Sequence, residues 1–156
     1  MKVYHSSNMK VERPDTTHSR KFLDFGKGFY VTTLYEQAFN YAQRFLRRKQ
    51  EAWVNTYELT DDISDWKILK FDSYSSEWLD FVMKCRSGES TENYDIIIGG
   101  IANDKVIETL NLFFDHYISM DEALGRLKYE KPNIQFCIRS EKMLNECLTY
   151  IESKQL

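Results

Sequence analysis

Apolar residues along this chain follow two rhythms, a period near two and a period near 3.6, and the switches between them mark the elements. Lys2–His5 predicts a short first strand, and the polar, aperiodic stretch Ser6–Leu23, which contains Pro14, predicts a loop. Phe29–Thr33 is β-branched and aromatic and predicts a second strand. Thr33 followed by Glu36 is a capping box, so a helix is expected from about Leu34 to Arg48. Ala52–Leu59 alternates, with Trp53, Asn55, Tyr57 and Leu59 on one face, and predicts a strand; Lys67–Phe71 predicts another.

The second half repeats the same logic. Ser75–Cys85 has helical spacing through Trp78, Leu79, Val82 and Met83, and Arg86–Tyr94 is a loop. Asp95–Gly99 predicts a fully buried strand. Asn103 is expected to cap a helix running to about Phe114. Ser119 and Glu122 form a second capping box before a short helix ending near Lys128. Pro132 precedes a last strand, Ile134–Ile138, and Ser140 is expected to cap a C-terminal helix. No repeat, low-complexity tract or linker interrupts residues 1–156, so one domain is expected. Short strands among scattered helices predict an α+β fold rather than regular βαβ units.

Composition narrows the picture. With 42% hydrophobic and 29% charged residues the chain is globular rather than disordered. A domain of this length buries roughly 68–70% of its unfolded surface, which is enough to fold without staples. Aromatics reach 15%, which serves a core, a stacking site or both. The net charge of −3 and pI near 5.7 argue against a generic nucleic-acid binder. One basic cluster, Arg44, Arg47, Arg48 and Lys49, ends the first predicted helix, where cations complement the carbonyl end of the dipole or meet a phosphate or a partner. Cys85, Cys137 and Cys147 have no CxxC spacing and there is no HxxxH, so no metal is expected. Free thiols, no apolar signal core at the N-terminus and no run near the ~20 apolar residues of a membrane span predict a cytoplasmic protein with no membrane partner.

Two short blocks carry candidate chemistry. The first is Tyr4-His5-Ser6-Ser7, at the end of the first strand. The second is Asp24–Tyr41, DFGKGFYVTTLYEQAFNY, with Tyr30 and Tyr41 eleven residues apart. Phe25–Tyr30 lacks the third glycine of a dinucleotide fingerprint and leads into a strand rather than out of one. There is no GxxxxGK[ST] phosphate loop either. The glycines suit either a turn before a strand or a backbone that a ligand approaches closely.

The order of these features resembles the ADP-ribosyltransferase superfamily, in the branch of the diphtheria toxin and the poly(ADP-ribose) polymerases. Its first-strand histidine matches His5. Its Gly-x-Gly-Ile-Tyr segment matches Gly26–Tyr30, and its second tyrosine matches Tyr41. The chain also resembles a bacterial family of single-domain transferase-like proteins often found in toxin–antitoxin arrangements. That family has a DFG-x-GFY-x-T block, a YD-x-x-IG-x-x-AND block (here Tyr94–Asp104) and a glutamine in a late strand.

The resemblance implies two small packed sheets, antiparallel or mixed, around an NAD cleft with flanking helices. It implies NAD as substrate, with His5, Tyr30 and Gln135 as catalytic residues. His5, Ser6, Gly28, Tyr30, Tyr41 and Gln135 would contact the dinucleotide: His5 the adenosine-side ribose, Ser6 the carboxamide through its backbone, Tyr30 and Tyr41 the nicotinamide ring, and Gln135 the nicotinamide ribose. Ala38 stands where some relatives use a serine on the carboxamide. Arg20 and Lys21 are candidates for the pyrophosphate, and Asp24 for orienting the glycine block or taking a proton. Asp95, Asn103 and Asp104 belong to the second family block and also suit caps and turns.

Many such enzymes have glutamate where this chain has Gln135. An amide hydrogen-bonds a ribose hydroxyl but brings no negative charge to an oxocarbenium-like centre. The expected activity is therefore mono-ADP-ribosyl transfer without chain growth. A toxin or effector would modify a macromolecular acceptor, protein or nucleic acid, and be held by a neutralising antitoxin protein. The rival readings are a catalytically inactive NAD- or ADP-ribose-binding module and a protein-interaction domain that keeps only the fold.

Overall fold

The computed structural model describes residues 1–19 and 23–156. In chain order the elements are β1 (Lys2–Ser7), β2 (Phe29–Val31), α1 (Tyr35–Arg47), β3 (Trp53–Leu59), β4 (Ile68–Lys70), α2 (Ser76–Arg86), β5 (Ile96–Ile101), α3 (Asp104–Phe114), α4 (Met120–Leu127), β6 (Asn133–Ile138), α5 (Glu141–Cys147) and β7 (Leu148–Gln155). They form an α+β structure with two sheets, ordered β1-β3-β7 and β2-β6-β5-β4. Strand pairing is antiparallel except between β4 and β5, whose parallel alignment requires the crossover that α2 supplies.

The two-residue side-chain period divides the second sheet into two working faces. Tyr30, Cys137 and Ile97 are in register, and their face packs on Trp78, Leu79 and Val82 of α2, Val106 and Leu110 of α3, and Leu127 of α4. Phe29, Val31, Ile96 and Ile138 point the other way, against Val3, Tyr57 and Leu59 of the first sheet and Met143 and Leu144 of α5. α1 covers the outer face of the first sheet by setting Ala38 and Ala42 on Val54. Small alanines allow that close approach.

The two sheets meet along β1 and β2. There, among the described residues, one backbone bridge joins them: Tyr4 N–H donates to the Thr32 carbonyl at 2.8 Å and Thr32 N–H to the Tyr4 carbonyl at 3.0 Å. This bridge explains one departure from the sequence expectation. Thr33 does not cap α1. Thr32 is held to Tyr4, its Oγ1 accepts from Leu34 N–H at 3.2 Å and donates to Gln37 Oε1 at 2.9 Å. The helix consequently starts after Leu34, which has no side-chain cap. The expected caps elsewhere are present: Asn103 accepts from Val106 N–H, Ser119 from Glu122 N–H and Ser140 from Met143 N–H.

The second departure is at the C-terminal end. The helix that Ser140 caps stops at Cys147, and Leu148–Gln155 is a strand paired with β3. Thr149, Tyr150 and Ile151 favour extended backbone, and the pairing places β3 in the middle of its sheet. β6 is therefore not the last strand.

Candidate functional site

Asp24–Tyr30 leaves the loop region and enters β2 as a tightly tied segment. Asp24 is buried. Its Oδ1 accepts from Arg86 Nε at 2.7 Å and pairs with Arg86 Nη2 at 2.6 Å, while Oδ2 accepts from Ala102 N–H at 2.8 Å. The Phe25 carbonyl accepts two bonds from the Arg139 guanidinium, at 3.1 and 2.7 Å. The Tyr30 hydroxyl donates to the Gly26 carbonyl at 2.6 Å and accepts from Phe25 N–H at 3.1 Å. Burial pushes the Tyr30 phenol well above its ordinary range and the neighbouring Cys137 thiol up to about 12.

Both glycines of this loop have packing reasons. Gly26 has φ +73°, a region that side chains with a Cβ avoid. A Cβ on Gly28 would sit 2.5 Å from Cys137 Sγ and 2.9 Å from the Ile138 carbonyl oxygen.

His5 faces the space between the sheets. Its ring stacks on Phe29 with centroids 4.2 Å apart, and Nδ1 lies 2.7 Å from the Tyr30 carbonyl. A carbonyl only accepts, so the proton sits on Nδ1 and Nε2 keeps a lone pair. Burial lowers the His5 pKa and outweighs the carbonyl bond that would raise it, so the ring is neutral. Ser6 points to the opposite face, where its hydroxyl donates to the Ala38 carbonyl and ties β1 to α1.

A cleft of about 680 Å³ opens between α1, the start of α3 and the adjoining ends of β5 and β6. That volume suits a small-molecule site. Tyr41, Asn40 and Arg44 of α1 line one side, and Gln135, Asn103, Asp104 and Ala102 line the other. The Arg44 guanidinium lies over the Tyr41 ring at 4.8 Å and reaches Asp104 at 3.9 Å. Among the described residues every fully buried polar side-chain atom has a partner. Gln135 is half-buried and lines the cleft.

The structure thus brings Tyr41 and Gln135 together. His5, Ser6, Gly28 and Tyr30 are not among the cleft walls; their polar atoms or packing surfaces are engaged at the seam and the loop. The loop and the cleft touch through Ala102, whose N–H holds Asp24 and whose residue lines the cleft. Asp95 accepts from Lys67 N–H at 2.8 Å in a turn, and Asn103 caps α3. Arg20 and Lys21 lie outside the described residues. Arg86 and Arg139, which hold the glycine loop, went unrecognised in the sequence. Asn40 did too, although Gln37, Tyr41 and Arg44 share its helix face at spacings that would have pointed to it. Among the described residues no cluster of His, Cys, Asp or Glu could hold a metal ion, and no helix is long and apolar enough to cross a membrane.

A family model described as "Protein of unknown function (DUF3990)" matches residues 1–150, and the chain belongs to that family. No curated protein and no solved structure matches it.

Proposed function

We propose that this DUF3990 protein is an NAD-dependent mono-ADP-ribosyltransferase with an ADP-ribosyltransferase-like fold. The observation that carries the reading is the convergence of Tyr41 and Gln135, far apart in sequence, on one cleft that adjoins the clamped Asp24–Tyr30 loop. The ring of Tyr41 offers nicotinamide a stacking face, and the amide of Gln135 offers the neighbouring ribose a hydrogen bond. His5, at the seam between the sheets, holds the Tyr30 carbonyl and so positions the loop beside the cleft. Tyr30 and Gly28 shape that loop, and Ser6 ties β1 to α1, the helix that carries Tyr41.

In the reaction an acceptor nucleophile bonds to C1′ of the nicotinamide ribose. The bond from C1′ to the pyridinium nitrogen breaks, and neutral nicotinamide leaves with the electron pair. The nucleophile's proton goes to solvent. Positive charge builds on the ribose as the bond breaks, and Gln135 opposes it with a dipole rather than a charge. Single transfers follow, without chain growth. The role of a cytoplasmic toxin or effector, held by an antitoxin protein, rests on the resemblance noted above.

The neutrality of Gln135 favours a second reading, an NAD- or ADP-ribose-binding module without turnover. The deciding experiment incubates the protein with labelled NAD and a cell lysate. Release of nicotinamide with a labelled macromolecule supports the transferase. Calorimetric NAD binding without release supports the module, and absence of binding rejects both.

A further inference from the structure

We propose that an arginine stripe running out of the cleft along α1 binds a single-stranded nucleic acid. Six α1 residues line the cleft, Tyr35, Glu36, Gln37, Asn40, Tyr41 and Arg44, and of these Gln37, Tyr41 and Arg44 recur every three or four positions along one face. The same spacing continues beyond the cleft to Arg47 and Arg48, both exposed. From Gln37 to Arg48 the stripe covers about 16 Å at ~1.5 Å per residue. Arg44 meets Asp104 at the cleft mouth, whereas Arg47, Arg48 and Lys49 are in no ion pair among the described residues.

Cations also close α2 (Lys84 and Arg86) and α4 (Arg126), as the helix dipole favours, while α3 and α5 end with none; α1 differs in carrying Arg48 and Lys49 beyond the two cations of its last turn. Lys49 also holds a left-handed backbone (φ 57°) that favours glycine or asparagine, with its N–H on the Leu46 carbonyl. A lysine stands where glycine or asparagine would sit more easily.

The chemistry selects the partner. Guanidinium forks take phosphate in paired bonds, and the phosphates of a strand recur at every nucleotide, matching a row of cations. The carboxylates of an acidic peptide recur only where its sequence puts them. The strand must be unpaired, because a cleft of about 680 Å³ admits a base only when it is out of a duplex. The overall charge of −3 gives no long-range attraction to a polyanion, so contact falls to this local stripe. That the bound strand is the ADP-ribose acceptor rests on the transferase reading; the binding itself does not.

The test is fluorescence anisotropy with short labelled DNA and RNA strands against the full chain and the Arg47→Glu/Arg48→Glu variant. Thermal unfolding checks that the variant is folded, and Arg47→Gln/Arg48→Gln serves as a milder second variant. The native protein should bind with a log–log salt slope near −2, from ~0.7 per phosphate and three arginines. Charge reversal should weaken binding at least about tenfold and flatten the slope. Nicotinamide release from NAD without acceptor should be the same in both proteins. Unchanged strand affinity in the variants, equal binding of a duplex, or equal binding of a glutamate-rich peptide would overturn the proposal. Arginine-dependent strand binding with no nicotinamide release from any protein would keep the nucleic-acid site and remove the transferase.

Discussion

The Asp24–Tyr30 loop and the α1 wall of the cleft are neighbours in sequence and nearly opposite in construction. In the loop, polar groups are consumed by the protein itself: Asp24 by Arg86 and Ala102, the Phe25 carbonyl by Arg139, the Tyr30 hydroxyl by Gly26 and Phe25. Along α1, Asn40 and Tyr41 border an open cleft beside Arg44, whose guanidinium contacts the Tyr41 ring and Asp104. The difference teaches that a motif's most recognisable residues need not be the ones that touch a ligand. Here the glycines and Tyr30 build a rigid support, and the less conspicuous helix face beside it is left exposed. Substitutions in the loop should be read as stability, and substitutions in the cleft as affinity or rate.

The largest effect should come from Asp24→Ala. Asp24 and Arg86 are 11% and 25% exposed, so the change strands a mostly buried guanidinium. Breaking such a pair costs roughly 3–5 kcal/mol, and the partial exposure of Arg86 places this one near 3. Chemical denaturation would show it; a loss below about 1 kcal/mol would mean that the loop is not clamped. Gly28→Ala comes next, at about 2 kcal/mol, because the new methyl group meets a backbone carbonyl that cannot swing away. A neutral result in the same denaturation experiment would return that glycine to a role in ligand approach.

Gln135→Glu should leave the unfolding midpoint nearly unchanged while raising nicotinamide release. Each tenfold gain corresponds to ~1.4 kcal/mol of added stabilisation of the developing charge. Gln135→Ala should lower release, and rates indifferent to both changes would move the catalytic charge elsewhere. Tyr41→Ala should weaken NAD binding by about 1 kcal/mol in calorimetry, and Tyr41→Phe should retain most of the affinity, since a ring face does the stacking. Equal damage from the two would assign the role to the hydroxyl.

The smallest effect concerns pH. His5 has a lowered pKa in the folded protein, so the unfolded chain binds its proton more readily. The stability from keeping His5 neutral is complete above the ordinary histidine value of about 6.5 and is lost as pH falls below it. Unfolding curves at pH 7.5 and 5.5 should show a loss for the native protein that His5→Phe lacks.

What the sequence made legible followed the range of each interaction. Asn103, Ser119 and Ser140 are caps because a side chain meets an amide three residues on, and such contacts can be read locally. Thr33 and Glu36 have the same local pattern and fail, because a bridge to Tyr4 had already fixed Thr32. Leu148–Gln155 is a strand because β3 offers it an edge, and that partner lies about ninety residues earlier. The site divides in the same way. Tyr41 and Gln135 line one cleft, while the arginines that make the loop rigid act over 62 and 114 residues and left no local pattern.

The Tyr4–Thr32 bridge has a mechanical consequence. Each sheet is internally laced by ladders, yet among the described residues the backbone ladder between the sheets amounts to two hydrogen bonds, beside the His5–Tyr30 carbonyl contact and side-chain packing. A load pulling the sheets apart would therefore act on a perforation: the chain tears there, peeling Phe29 off His5, before either ladder unzips. In a stretching experiment the protein should yield as two panels rather than as one sheet.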